Sequence, residues 1–338
     1  MKFSIMIPCY NEEATIRRCV DSCLNQSRPP EQILFVNDSS KDRTLEYLQS
    51  YGDKITVVTT PKNTGNKSSA QEYGLQFVTS DVVITSDGDT ILDREFVAEM
   101  AKTFKDRKVA AAGGYVRSLK HNWLTRCRAL EYTIGQNIHK LAQSELGYMF
   151  VIPGAAGAFK VKIFRKYLTF DHDTITEDLD FTYKLHRHGF KIAYNRRAIV
   201  LTQDPADLNS YINQMRRWLG GGWQNLRKHY SLAIRPRSSL ELSLIYIEGL
   251  ITSALLFLLP LINLRLALWA NFFLLFLASF LCSIYAAIIE RRPDLMLAPF
   301  GYVFLTYINA YLFWEQFIKE IVLGRKNLVW FKPERISI

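Results

Sequence analysis

A chain of 338 residues with 49% hydrophobic and 22% charged residues is neither disordered nor collagenous, and it has room for about two domains. Its formal charge of +10 leaves nucleic acid, anionic lipid or a phosphorylated ligand as candidate partners, but that charge is unevenly spread. Residues 240–338 carry 8 Lys/Arg and 7 Asp/Glu among long apolar runs, whereas residues 1–239 carry 34 and 25, a local +9.

The first residues, MKFSIMIPCYNEE, hold one short apolar stretch before Asn11, Glu12 and Glu13, too brief for a signal peptide. The first part of the chain is therefore expected to stay on the cytoplasmic side. Residues 4–8 and 32–36 are short apolar runs, and between them residues 13–24 place Ile16, Cys19, Val20 and Cys23 at helical spacing. Strand, helix, strand recurs with 54–59, a helix over 68–77 and the β-branched run 82–86. This alternation predicts an α/β fold with a mostly parallel, Rossmann-like sheet and helices on both faces. Such a sheet binds ligands at the carboxyl ends of its strands, where the polar loops 8–13, 37–42 and 87–90 emerge.

Residues 117–150 read as one helix with an apolar stripe through Trp123, Leu130, Ile134, Ile138 and Leu141, followed by the small-residue loop PGAAGAF at 153–159. Residues 160–239 hold 15 Lys/Arg against 7 Asp/Glu directly ahead of the apolar third, where anionic lipid accounts for the excess better than nucleic acid does. The segments 243–264, 266–289 and 295–314 each approach the roughly 20 residues needed to cross a bilayer. A hairpin of the first two keeps both the basic flank and Glu290, Arg291 and Arg292 on the cytoplasmic face. Three crossings would put Lys319, Arg325, Lys326, Lys332 and Arg335 outside, against the same rule. A last segment that re-enters or lies along the interface removes the conflict.

The five cysteines (Cys9, Cys19, Cys23, Cys127, Cys282) form neither a CxxC pair nor a disulfide framework, so a reducing compartment is expected. The six histidines show no ligand spacing except His186 and His188, which on a helix point to different faces. Glu248 and Glu315, in or beside the apolar segments, face a polar path or partner helix, or else sit near the interface.

Three clusters carry chemistry. Asp87, Gly88 and Asp89 follow the strand 82–86, and two carboxylates around a tight glycine turn can hold a hard divalent cation against a diphosphate. Thr176, Glu177, Asp178, Leu179 and Asp180 open an amphipathic helix, where capping by Thr176 and complementing the helix dipole is the plain alternative to catalysis. Gln214, Met215, Arg216, Arg217 and Trp218 put two cations beside an aromatic, also as expected of a basic, lipid-facing helix.

In order, PCYNE (8–12), VNDSSKD (36–42), KNTGNKSSAQEYGL (62–75), DGDT (87–90), PGAAGAF (153–159), TEDLD (176–180) and QMRRW (214–218), followed by apolar spans, resemble the membrane-embedded family 2 glycosyltransferases of the processive type. That group includes the synthases of cellulose, hyaluronan and poly-N-acetylglucosamine. The resemblance implies a GT-A type nucleotide-sugar domain over 1–205, basic interfacial amphipathic helices over 206–239, transmembrane helices over 240–323 and a basic tail at 324–338. It implies that Pro8, Tyr10, Glu12, Asp38 and Lys67 hold the nucleoside diphosphate, with Asp87 near its ribose and phosphates and Asp89 on a Mg²⁺ or Mn²⁺ ion. Asp178, flanked by Glu177, would be the general base, and Gln214, Arg216, Arg217 and Trp218 would line the diphosphate and acceptor end. Two features depart from the family. Its paired aspartates appear here as Asn37 and Asp38 with Ser39 where glycine is usual, and its polymer synthases often carry spans ahead of the catalytic domain, which this sequence does not show.

The expected activity is inverting, metal-dependent transfer of a hexose or N-acetylhexosamine from a UDP-sugar to a growing polysaccharide at the inner membrane. A hydroxyl is a poor nucleophile near neutral pH, so one carboxylate base and a single displacement suffice. Two other readings stand beside it: transfer of one sugar to a membrane lipid, and an inactive membrane-anchored nucleotide-binding protein. The partners implied are a UDP-sugar, a polysaccharide or lipid acceptor, membrane lipids, and a homo-oligomer or accessory membrane subunit.

Overall fold

The computed structural model describes residues 1–328. They form two compact units: Met1–Arg117 with Lys140–Gln203, and Ser118–His139 with the described part of Asp204–Pro333.

The first unit is built on eight strands: β1 (Phe3–Cys9), β2 (Gln32–Asn37), β3 (Thr56–Thr59), β4 (Val82–Thr85), β5 (Ile91–Leu92), β6 (Val109–Ser118), β7 (Gly157–Lys160) and β8 (Lys191–Thr202). Their order across the sheet is β3-β2-β1-β4-β7-β6-β8-β5. The expected parallel half is present, with Ser4 opposite Gln32, Phe3 opposite Val82 and Leu34 opposite Thr56. All seven residues of β1 are buried, as the central strand of a sheet covered on both faces requires. Beyond β4 the sheet turns antiparallel, with Thr85 opposite Gly157, Gly113 also opposite Gly157, and Ile91 opposite Leu201. Small residues in β6 permit this packing: a Cβ on Gly114 would lie 2.6 Å from the Ala198 carbonyl oxygen.

The helices of this unit are α1 (Ile16–Leu24), α2 (Thr44–Gln49), α3 (Lys67–Leu75) and α4 (Phe96–Thr103), and later α6 (Lys140–Glu145), α7 (Val161–Tyr167) and α8 (Glu177–Arg187). Buried Ile16, Cys19, Val20 and Cys23 line the inner face of α1, as their spacing predicts.

The helix expected over 117–150 is present over 123–145, shorter at both ends and with a π-helical segment in its middle. It runs as α5 (Trp123–Ile134), a π-turn (Gly135–His139) and α6. Asn122 fixes the start, its side chain accepting from Leu124 N and Thr125 N at 3.0 and 3.1 Å. The 1–205 segment is divided between the two units, because α5 packs in the second. There Leu124 and Cys127 join Tyr211, Met215, Leu305 and Leu312 in one cluster, and Ala129 and Leu130 join Ala286, Leu295 and Ala298 in another.

The second unit also holds α9 (Leu208–Lys228) and three long apolar helices, α10 (Ser238–Ile262), α11 (Leu264–Glu290) and α12 (Pro293–Val322). Each of the three is long and apolar enough to cross a membrane, and each leaves large apolar side chains exposed, among them Leu261, Phe272 and Phe300. Of the expected basic tail, Lys332 and Arg335 lie outside the described residues.

Candidate active site

At the carboxyl end of β1, Pro8 pairs with Val36 within the sheet, and Tyr10 and Glu12 lie half-buried in the loop beyond. Asn11 takes a φ of +54°, which asparagine tolerates, and its side chain accepts from Lys41 N at 2.8 Å. The Thr15 hydroxyl lies 3.1 Å from Glu12 Oε2 and 3.2 Å from the Gly88 carbonyl, tying this loop to the DGD turn. Gly88 is closely packed there: a Cβ would stand 3.0 Å from Glu12 Cγ and 3.2 Å from Cys9 Cβ, so those side chains would have to shift by a few tenths of an ångström.

Asp38 is buried, and its carboxylate accepts from Thr60 Oγ1 at 2.8 Å, Thr64 Oγ1 at 2.9 Å, Thr64 N and Asn63 Nδ2. These bonds shape the loop at 60–64 ahead of α3. The next residue, Ser39, has φ +53°, which explains why glycine suits this position.

Lys67 opens α3 and gathers the rest of the site. Its ammonium pairs with Asp87 from the end of β4, lies 3.6 Å from Glu177 at the start of α8, and reaches the Gly154 carbonyl at 3.4 Å. Burial works against its charge, but Asp87, Glu177 and Asp178 outweigh that and hold the amine well above its ordinary value. Asp178 accepts from Gly154 N at 3.1 Å and from Leu179 N at 2.9 Å. Thr176 occupies the N-cap of α8, but its side chain makes no capping bond, contrary to the capping expectation. Asp180 is committed elsewhere: it pairs with Lys184 at 2.8 Å, and Lys184 also holds Asp171 at 2.7 Å.

Asp87 and Asp89 end up at one turn, with Asp89 buried. Among the described residues no group of three or more His, Cys, Asp and Glu is placed to hold a metal ion. A hard cation takes six or more oxygens, so this pair fits only an ion that completes its shell with phosphate and water oxygens.

Gln214, Arg216, Arg217 and Trp218 lie on α9 in the second unit. Gln214 is buried, Arg217 is half-buried, and Arg216 pairs with Glu315 of α12 at 2.9 Å. Trp218 is stacked on Arg128, whose guanidinium carbon is 4.8 Å from the ring centre. Arg128 is itself buried, paired with Glu131, 3.5 Å from Asp204 and 3.1 Å from the Tyr132 hydroxyl, which donates to Asp204 at 3.0 Å.

Sequence reasoning named Gly154 only within the PGAAGAF motif, and it missed Arg128 and Lys140. Lys140 begins α6, and burial, only partly opposed by Asp178, lowers its ammonium from 10.5 to about 7. Its one sequence signal is a cation on the expected helix 117–150.

A family model described as "Glycosyltransferase like family 2" matches residues 2–221. The chain belongs to the family 2 glycosyltransferases. It is 28% identical over 238 residues to the poly-beta-1,6-N-acetyl-D-glucosamine synthase of Staphylococcus epidermidis, and 29% identical to that of Staphylococcus aureus. Each match covers 69% of this chain and 58% of the relative, so the chain spans little more than half the length of these relatives. Among solved structures, the mannosyltransferase PcManGT from Pyrobaculum calidifontis in complex with GDP-Man and Mn²⁺ is similar with a TM-score of 0.62 at 19% identity, covering 92% of this chain and 86% of that one. S. aureus TarS 1-349 in complex with UDP-GlcNAc gives 0.53 at 17% identity over 96% and 93%. These likenesses show a GT-A type α/β fold, which in this chain is joined to three apolar helices long enough to span a membrane.

Proposed function

We propose that this glycosyltransferase moves N-acetylglucosamine from UDP-N-acetylglucosamine to a growing polysaccharide at the membrane, with inversion and in a single displacement. The observation that carries this reading is the convergence on Gly154, where Lys67 and Asp178 meet beside Asp87 and Glu177. The named relatives motivate the sugar and the polymer. Pro8, Tyr10 and Glu12 would border the nucleotide, while Asp38 acts on it through the loop at 60–64. The Lys67 ammonium would meet the negative charge that grows on the leaving diphosphate. Asp178 would take the acceptor hydroxyl's proton, oriented by its bond from Gly154 N. Asp89 and Asp87 would hold a divalent cation together with the donor's phosphates, an ion that supplies further charge neutralisation when bound.

Gln214, Arg217 and Trp218 would serve the diphosphate and acceptor end. Arg216, paired with Glu315, would anchor α9. The catalytic unit would stand on the cytoplasmic face of the cell membrane, and a second copy or accessory subunit would complete any enclosure for the polymer.

The test is purified full-length protein in detergent with a panel of UDP-sugars, following UDP release and sizing the product by gel and mass spectrometry. A ladder made from UDP-N-acetylglucosamine supports the reading. One sugar added to extracted lipid overturns the polymer acceptor, and no release from any UDP-sugar overturns the donor.

A further inference from the structure

Arg128 of α5 keeps its charge inside the second unit, with only 3% of its side chain exposed. Each edge of the guanidinium is used. Nη1 pairs with Glu131, Nη2 donates to the Tyr132 hydroxyl at 3.1 Å, and Nε faces Asp204 Oδ1 at 3.5 Å. Three aromatic rings lie about it, with the guanidinium carbon 4.7 Å from the centre of Tyr132, 4.8 Å from Trp218 and 5.6 Å from Tyr211.

These contacts close into two circuits. In the first, the Tyr132 hydroxyl donates to Asp204 Oδ1 at 3.0 Å, and Asp204 faces back to Arg128. In the second, Glu131 Oε1 accepts from Asn309 Nδ2 of α12 at 3.4 Å, Asn309 Oδ1 accepts from the Tyr211 hydroxyl at 2.8 Å, and the Tyr211 ring returns to the guanidinium. One side chain of α5 is thereby fixed from α9, from α12 and from the segment ahead of α9. Burying an arginine with two carboxylates costs most of what their attraction returns, and apolar side chains of the same volume would hold the helices together about as well. What such a network adds is a defined geometry, because every member restrains the next.

The geometry it defines reaches Trp218. Tyr211, Met215 and Trp218 fall within about 60° of one another on α9 at 100° per residue. Tyr211 and Met215 are buried against Arg128, with Met215 Sδ 3.9 Å from Nη1, whereas Trp218 is only half-buried. Part of the indole therefore stays open while its plane is set by a cation on another helix. An arginine suits this task, since its planar fork can bond at its edges and stack with its face at once; a lysine ammonium cannot.

We propose that Arg128 is a positioning residue for the acceptor: locked by its two circuits, it holds the plane of Trp218 against which a sugar ring of the incoming polysaccharide lies. This role rests on the polysaccharide acceptor proposed above. A pyranose ring presents C–H groups to an aromatic face, so a tilted indole would displace the terminal hydroxyl from its base, and small displacements of reacting groups cost rate steeply. Arg128 itself touches neither substrate.

The test is steady-state transfer by the purified full chain in detergent, with UDP-N-acetylglucosamine as donor and a short N-acetylglucosamine oligosaccharide, of the kind the named relatives polymerise, as acceptor. Arg128→Lys keeps a buried charge for Glu131 and Asp204 but gives up the stacked plane, and it should raise the acceptor KM by about 10-fold or more with the donor KM within about 2-fold. In a Trp218→Ala background the same change should add less than about 2-fold to the acceptor KM, because the group it positions is gone. Tyr132→Phe keeps the ring and removes the hydroxyl that joins the first circuit, and it should shift the acceptor KM in the same direction by about 3-fold; this milder variant gives the reading if the lysine variant does not fold. An unchanged acceptor KM, equal shifts in both KM values, or an undiminished effect of Arg128→Lys in the Trp218→Ala background overturns the role of Arg128 alone. No extension of the oligosaccharide by the unaltered protein overturns the polysaccharide reading and this role with it.

Discussion

Lys67 and Asp178 grip Gly154 from its two polar ends, the lysine 3.4 Å from its carbonyl oxygen and the aspartate accepting from its N–H at 3.1 Å. A Cβ at Gly154 would stand 3.1 Å from the ammonium and 3.4 Å from the carboxylate. Gly154→Ala should therefore push the flexible Lys67 tip aside with little harm to the fold, at a cost of about 1 kcal/mol or less. Transfer should drop by about 10-fold or more, because sub-ångström placement governs such sites. Thermal unfolding and transfer assays on the one variant check this; unchanged transfer would remove Gly154 from the site.

Asp89→Asn should abolish most turnover, by about 10²-fold or more, if this carboxylate holds the cation. Folding and membrane insertion should persist, since the change is isosteric. Full activity with unaltered Mg²⁺ or Mn²⁺ dependence contradicts the assignment.

Much of this site was legible in the sequence, and the residues show why. β1, β2 and β4 are mostly apolar runs ended by polar loops, so their positions follow from composition, and the motif residues follow from family resemblance. Gly154 stands in the PGAAGAF motif, but its role was not legible there, since it depends on Lys67, which is 87 residues away, and on Asp178, which is 24 away. The antiparallel half of the sheet lacks the strand-helix alternation that announces a parallel one. The stripe of 117–150 does mark one helix, but periodicity does not register the π-turn at Gly135–His139 or which unit each part joins.

Arg128→Met should be costly. Arg128 is buried with Glu131 and Asp204, and removing it leaves both carboxylates uncompensated, for a loss of about 3–5 kcal/mol. Trp218 also loses its stacking partner. A thermal midpoint equal to that of the unaltered protein would show that the cluster is not under this constraint.

Lys140 predicts a pH dependence. Its folded value of about 7 lies below its ordinary 10.5, so between these limits the unfolded chain holds a proton that the folded chain lacks. Its burial penalty is full below the folded value and is relieved as pH rises, with a slope of at most about 1.4 kcal/mol per pH unit. Lys140→Gln should therefore raise the thermal midpoint most at about pH 6.5, with the advantage shrinking toward about pH 9.5. A gap that does not change across this window contradicts the burial.

Asp178→Asn tests the central claim most directly. Asparagine keeps the shape and can still accept from Gly154 N, but it cannot take a proton from a hydroxyl. Calorimetric binding of UDP-N-acetylglucosamine and radiolabelled transfer should be measured together on this variant of the full chain. The account predicts near-normal donor binding with transfer reduced by about 10² to 10⁴-fold. Transfer close to that of the unaltered protein would contradict it.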